Sequence, residues 1–371
     1  MKILLIGNYK NDRQESMQRF ADMLEHGLTR RGHEVARVLP RSRVGALRPG
    51  ANGLGKWLGY IDKFMLFPHE LRAKAAWADV IHICDHSNAF YTQHLGKRRA
   101  LVTCHDLLAV RGALGEDTDC PASLTGRVLQ RWILDGLRHA RTVACVSSYT
   151  RGDVERLIGG GPRVRVVPNG LNHTYRRLDE NEAFARLSRI PGFDARTPYV
   201  FHVGSSQRRK NREGVIRVFS RIKQTFRGPL VFAGQTLSAG QSDLVQSLGL
   251  AERVIHVGGP DNEILEALYN RAHALLFPSR FEGFGWPIIE AQACGCPVVC
   301  SDRCSFPEVC GEAGLLRDVD DEAGFAADLL RLIEPHERKI FIERGLENAR
   351  RFTADAMLDS YCQLYEEEAA A

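Results

Sequence analysis

The chain has 371 residues, 44% of them apolar and 26% charged, with 34 Gly and 15 Pro. That length suits two domains of ordinary size, and the apolar share excludes a disordered or collagen-like chain. Net charge is only +5 but unevenly divided: residues 1–180 carry 28 basic and 18 acidic side chains, and the remainder 22 and 27. A basic first half beside an acidic second favours an anionic surface or substrate on the first. Its basic residues are scattered, without a helix-turn-helix, finger or RNP-like pattern, so no dedicated nucleic-acid role is expected.

Met1-Lys2-Ile3-Leu4-Leu5-Ile6-Gly7 is broken by Asn8-Tyr9-Lys10 too early for a signal peptide and reads as a first buried strand. No apolar run approaches the roughly 18 to 20 residues that span a bilayer. A soluble, cytoplasmic chain is expected. Strands are predicted at Lys2–Ile6, Glu34–Val38, Val80–Cys84, Ala100–Cys104, Thr142–Val146 and Val164–Val167, with helices at Glu15–Arg31, Leu124–His139 and Ser148–Ile158. Short apolar runs joined by helices indicate a doubly wound parallel sheet. After a polar, irregular seam at Asn169–Pro198 the pattern restarts. Strands are predicted at Tyr199–Val203, Leu230–Ala233, Val254–Val257, Ala274–Phe277 and Val298–Cys300, and helices at Asn211–Thr225, Asn262–Ala272 and Pro287–Cys294. Tail helices are predicted near Glu322–Ile333, His336–Ala349 and Ala354–Tyr365. The expected domains are 1–180 and 181–353, with the tail from about 354 to 371 packing back on the first. A cleft between the two is the expected ligand site.

Residues 41–72 fit this scheme less well. Basic side chains flank Leu54, Trp57, Leu58, Tyr60, Ile61, Phe64, Met65, Leu66 and Phe67. The segment reads either as an interfacial helix touching an anionic membrane or as an inserted helix packed on its own domain. Of the ten cysteines, the densest group is Cys294, Cys296, Cys300, Cys304 and Cys310, whose spacing is not the paired C-x2-C of a zinc site. Reduced, buried thiols are expected. His82, Asp85 and His86 are read as loop and core residues, because their spacing is not that of a metal helix.

The sharpest string is Ser279-Arg280-Phe281-Glu282-Gly283-Phe284-Gly285-Trp286-Pro287-Ile288-Ile289-Glu290-Ala291. It leaves a strand for a helix that Pro287 can begin. Gly283 and Gly285 let backbone N–H groups approach a ligand, and a helix N-terminus beneath them suits a phosphate. Glu282 and Glu290 would serve as hydroxyl acceptors, for which a sugar and a ribose are suitable partners. Val203-Gly204-Ser205-Ser206-Gln207-Arg208-Arg209-Lys210-Asn211 forms a second strand-to-helix anion element. His105 follows an apolar strand at the sheet edge where ligands collect in such folds.

This set resembles a retaining GT-B-fold glycosyltransferase of family 4. Glu282 and Glu290 match the family's E-x7-E element, and Phe306-Pro-Glu-Val-Cys-Gly-Glu-Ala-Gly its S-x-P-E-V-x-G-x-A-G segment. Pro168-Asn169-Gly170-Leu171-Asn172 is similar to the P-N-G-V-D signature, Thr103-Cys-His105-Asp106-Leu107 to the T-x-H-D loop, and Val146-Ser147 to the V-S strand end. The resemblance implies an α/β GT-B architecture of two Rossmann-like, doubly wound domains. It also implies that Glu282 holds the sugar, Glu290 the ribose, and the backbone of Phe284, Gly285 and Trp286 the sugar and diphosphate. Lys210, with Arg209 in place of the Arg that often follows the Gly (here Ser205 after Gly204), would neutralise the leaving diphosphate. His105 would lie near the transferred sugar, and the backbone around Gly258 near the base.

Relatives often carry Gly-Gly after the first strand. Here only Gly7 precedes Asn8-Tyr9-Lys10-Asn11-Asp12-Arg13, so an uncommon acceptor is expected. The implied donor is a GDP-, UDP- or ADP-sugar, with GDP-mannose slightly favoured, and the implied acceptor a glycan or lipid-linked glycan. No bound metal is implied for transfer. The rival readings are a transferase or phosphorylase with a small soluble acceptor, and a non-catalytic protein that binds sugar nucleotides.

Overall fold

Residues 1–12, 14–48, 53–96, 98 and 100–370 are described by the computed structural model, and among them the short apolar runs form two six-stranded sheets with every pairing parallel. The first contains β1 (Lys2–Ile6), β2 (Glu34–Val38), β3 (Val80–Ile83), β4 (Leu101–Cys104), β5 (Thr142–Cys145) and β6 (Arg163–Val166), in the order β2-β1-β3-β4-β5-β6. The second contains β7 (Tyr199–Gly204), β8 (Leu230–Gly234), β9 (Val254–Gly258), β10 (Ala272–Phe277), β11 (Val298–Ser301) and β12 (Gly314–Arg317), in the order β12-β11-β10-β7-β8-β9. β3, β4, β5, β10 and β11 are buried along their whole length, as strands covered on both faces must be. The chain divides into two units, residues 1–172 with 354–371 and residues 173–353.

Strand order decides where ligands can sit. In such sheets the crevice opens at the C-terminal ends of the two strands where the winding direction reverses. In the second unit that point lies between β7 and β10, and in the first between β1 and β3.

In the first unit the closing helix Ala354–Ala369 is fastened from both sides. Leu358 fills the space left by Gly27 in the helix Glu15–Arg30, and Arg31 bonds Asp359 at 2.7 Å. Beneath it His82 Nδ1 meets the Tyr365 hydroxyl at 2.6 Å, while His82 Nε2 and the Tyr361 hydroxyl meet Thr103 Oγ1 at 2.7 and 2.8 Å. Unpaired, these groups would be costly in the core, so the network fixes this helix in one register.

Two expectations need correction. The seam at Asn169–Pro198 is not wholly irregular: Asp179 caps a helix Glu180–Leu187 by accepting from the Glu182 amide at 2.9 Å. Residues 41–72, apart from 49–52, which lie outside the described residues, divide between the two alternatives. Asp62 is buried and accepts from the amides of Val44 and Gly45, both at 2.9 Å, and from the Tyr9 hydroxyl at 2.9 Å. Phe67 and Leu71 enter the core. Leu54, Trp57, Ile61, Met65 and Leu66 nevertheless remain exposed. Among the described residues no helix is long and apolar enough to cross a membrane.

Candidate functional site

The second unit brings together side chains 72 and 73 residues apart. After β7 the chain makes a short 3-10 turn, Arg208–Lys210, ending in Asn211 at φ 52°, a left-handed conformation that Asn tolerates. Asn211 is fixed there by donating to the Pro278 carbonyl at 3.1 Å, and the Arg280 amide donates back to the Arg209 carbonyl at 2.7 Å. The two loops of the switch point are thus joined backbone to backbone. Lys210 Nζ and Arg209 Nη1 meet the same oxygen of Glu282, at 2.5 and 3.0 Å. Lys210 also lies 4.9 Å from the Phe277 ring centre. Burial by itself would raise the Glu282 carboxyl, but the charges of Lys210 and then Arg209 outweigh it and hold that group below its ordinary range.

The following loop is shaped by its glycines. Gly285 has φ +101°, and a Cβ there would meet the Phe306 ring at 2.8 Å, so the turn into the helix Trp286–Ala293 requires glycine. The Ser305 hydroxyl holds the loop from behind, 2.8 Å from the Phe284 carbonyl and 3.1 Å from that of Glu282. Trp286 is half-buried. Glu290 is buried, and its Oε2 accepts from the Tyr269 hydroxyl at 2.8 Å.

One feature of this rim was missed in the sequence. Gly204, Gly234 and Gly258 stand in register across the ends of β7, β8 and β9, forming a row without side chains. Gly234 has φ +111°, and a Cβ there would stand 2.9 Å from the Gly204 carbonyl oxygen. Arg212, fully buried, donates to the Gly204 carbonyl at 2.5 Å and to that of Gln235 at 2.8 Å, bracing the row from below. The available signal was a glycine closing each of three consecutive strands. Ser205, next to this row, is half-buried.

In the first unit His105 lies at the end of β4 with Nε2 3.0 Å from the Cys84 carbonyl. A carbonyl only accepts, so Nε2 carries the proton and Nδ1 offers a lone pair. Burial lowers the His105 pKa, partly opposed by Asp85. The ring is therefore a neutral acceptor. Among the described residues it makes no hydrogen bond to Asp106, which instead accepts from the Leu108 amide at 3.0 Å.

The Gly7 amide donates to the Val38 carbonyl at 2.9 Å. The next residues are held in place by side chains: Asn8 Nδ2 donates to Asp85 at 2.5 Å and to Gln14, and Asp85 accepts from Ser87 Oγ at 2.5 Å. Arg13, the last residue of that turn considered in the sequence, lies outside the described residues. His82 and Asp85 are occupied by these hydrogen bonds. Among the described residues no group of three His, Cys, Asp or Glu is placed to hold a metal ion.

Comparison with known proteins agrees with this architecture. The profile described as "Glycosyl transferases group 1" matches residues 184–348, and "Glycosyltransferase Family 4" matches residues 17–175. The chain is 30% identical over 321 residues to O-antigen chain mannosyltransferase B of Escherichia coli, covering 82% of this chain and 81% of that one. It is also 30% identical over 203 residues to D-inositol 3-phosphate glycosyltransferase of Nocardia farcinica, covering 52% of this chain and 44% of that one. Among solved structures, sucrose-phosphate synthase from Thermosynechococcus elongatus superposes with a TM-score of 0.81 at 22% identity, covering 100% of this chain and 99% of that one. With the E. coli relative matched over four fifths of both chains and the two profiles falling on the two units, the chain belongs to the GT-B-fold glycosyltransferases of family 4.

Proposed function

We propose that this chain is a retaining transferase that moves mannose from GDP-mannose to a lipid-linked glycan at a membrane surface. Nucleotide-sugar-dependent transfer of a hexose to a glycan or lipid acceptor follows from the family. The observation that carries the transfer chemistry is the cluster of Lys210, Arg209 and Glu282 at the β7–β10 switch point. An entering diphosphate competes with Glu282 for both cations. Once they turn to the diphosphate, the carboxylate is released to accept from sugar hydroxyls. Lys210 and Arg209 then stabilise the charge that builds on the leaving group. Glu290, oriented by Tyr269, takes the ribose hydroxyls, and the row of Gly204, Gly234 and Gly258 admits phosphate and base close to the backbone. His105 Nδ1 accepts from a sugar hydroxyl. Retention follows if the acceptor attacks from the leaving-group face, with a diphosphate oxygen taking its proton.

Mannose as the sugar is supported by the printed name of the E. coli relative. Membrane contact is supported by the exposed Leu54, Trp57, Ile61, Met65 and Leu66 beside the exposed Lys56. Apolar side chains at one to three turns' separation with an adjacent cation suit an anionic bilayer surface. A small phosphorylated acceptor is the second reading, favoured by the match to D-inositol 3-phosphate glycosyltransferase.

The deciding experiment is a thermal-shift panel with GDP, UDP, ADP and their sugar conjugates, on wild type and Glu290→Ala, followed by NMR of the product anomer. A shift confined to the GDP series, lost in Glu290→Ala, and an α-linked product from an α-linked donor are expected. A UDP-selective shift or an inverted product contradicts the proposal.

A further inference from the structure

A cavity of about 780 Å³ opens in the second unit at the end of the sheet opposite the loops just described. Its wall includes Ala272, the first residue of β10, and Pro198, which precedes β7. β10 runs six residues from this cavity to the loop bearing Glu282, about 17 Å at roughly 3.3 Å per residue. A ligand here therefore occupies a different place from one held by Lys210.

Four guanidinium groups line the cavity: Arg177, Arg227, Arg271 and Arg338. Among the described residues, Glu180 is the one carboxylate within ion-pair distance of any of them, 3.1 Å from Arg271. Asp179, also in the lining, uses its side chain to cap the Glu180–Leu187 helix. Arg338 donates to the Ala272 carbonyl at 3.0 Å and has no acidic partner there. Burial chiefly pulls Arg338 below its ordinary pKa; Cys296 opposes it, and the nearby charges of Arg271 and Arg177 add to it. The Arg177 stem runs along Gly295, which at φ +70° leaves room for it. Phe226 and His273, with ring centres 4.9 Å apart, form an apolar wall beside the charges. His273 is buried and its pKa is lowered by that burial, so it adds no charge.

Crowded guanidinium groups around an open concavity are what a multiply charged oxyanion would relieve, because Arg binds phosphate oxygens in pairs. The concave shape, with an apolar wall at one side, suits a small phosphorylated molecule. We propose that this cavity is a second anion-binding site, separate from the sugar-nucleotide site, which takes a small molecule bearing a phosphate or diphosphate group through Arg177, Arg338 and Arg271.

The test is calorimetric titration of the full chain with inorganic pyrophosphate, which has the charge of the proposed ligand and no sugar or base. It compares wild type, Lys210→Ala, Lys210→Ala/Arg177→Gln and Lys210→Ala/Arg338→Gln. Lys210→Ala is expected to retain a pyrophosphate site of millimolar or better affinity, and either added Arg substitution to weaken that site at least about tenfold. Arg177 is exposed and makes no ion pair among the described residues, so Arg177→Gln also serves if Arg338→Gln unfolds. Loss of all pyrophosphate binding in Lys210→Ala overturns the proposal. So does undiminished binding in the folded Lys210→Ala/Arg177→Gln protein.

Discussion

Replacing Glu282 with Gln keeps the side chain's size and one accepting oxygen but removes the charge that two cations share. Breaking a buried ion pair by removing one partner costs roughly 3–5 kcal/mol. Arg209, whose side chain is 26% exposed, recovers part of its hydration, and Gln still accepts a hydrogen bond, so the cost falls to about 2–3 kcal/mol. For a unit of this size that lowers Tm by roughly 4–12 °C. Ligand binding should respond in the opposite sense. In wild type a nucleoside diphosphate must displace the carboxylate; in Glu282→Gln it meets Lys210 and Arg209 with no carboxylate to displace. Affinity for the free diphosphate should rise about tenfold, some 1.4 kcal/mol, while turnover of the sugar conjugate falls about a hundredfold or more.

The pH dependence gives an independent reading. Because the folded pKa of Glu282 lies below its ordinary 4.5, the charge contributes stability above that pH, and the contribution is lost as pH falls through the depressed value. The Tm gap between wild type and variant should therefore be full at pH 7 and close in acid below about 4.5. Differential scanning calorimetry from pH 3 to 7, with titration calorimetry of the diphosphates, checks both parts. A variant as stable as wild type at pH 7, or one that binds diphosphate more weakly, refutes the competition between carboxylate and diphosphate.

Gly234→Ala places a Cβ against the Gly204 carbonyl at a left-handed φ, which should cost about 1–3 kcal/mol and lower nucleotide affinity; Gly240→Ala, which meets nothing within 4 Å, should do neither in the same melts and titrations. His82 is held at a pKa of about 3, chiefly by burial, against an ordinary 6.5. The folded chain therefore binds fewer protons in that window, and stability falls with pH from about 6.5 toward 3 by up to roughly 1.4 kcal/mol per unit. His82→Gln should be less stable at pH 7 yet show a flatter acid limb, and parallel Tm curves for the two proteins would contradict this. Trp57→Glu/Met65→Glu, at exposed positions, should leave Tm within about 2 °C and abolish co-sedimentation with anionic vesicles.

Much of the fold was legible because buried parallel strands are written as unbroken apolar runs: Lys2–Ile6 and Glu34–Val38 were bounded correctly, and others to within a residue or two. β12 was not, since Gly314-Leu-Leu-Arg317 is short, begins with glycine and owes its existence to pairing with β11. The Glu180–Leu187 helix hid in a polar stretch, although Asp179 and the Ala183–Leu187 spacing were available signals. Site residues were legible one loop at a time. What joins Glu282 to Lys210 is the adjacency of β7 and β10, a long-range pairing that no local pattern carries. Register likewise turned three separate strand-end glycines into one row, and the Cys84 carbonyl assigned the proton on His105.

The first unit is closed by the helix Ala354–Ala369, made long after its sheet, and that has a consequence during synthesis. About 180 residues separate Asn172 from Ala354. At roughly 5–20 residues per second, a ribosome needs some 10–40 s to make them. Through that interval the hydroxyl partners that Tyr361 and Tyr365 provide to Thr103 and His82 do not yet exist, and the groove beside Gly27 is unfilled. The second unit, by contrast, is contiguous and can fold as soon as it emerges. The first unit, though begun earlier, is completed after the second, and a stop codon before Ala354 would leave its sheet uncapped while sparing the loops that bear Lys210, Glu282 and Glu290.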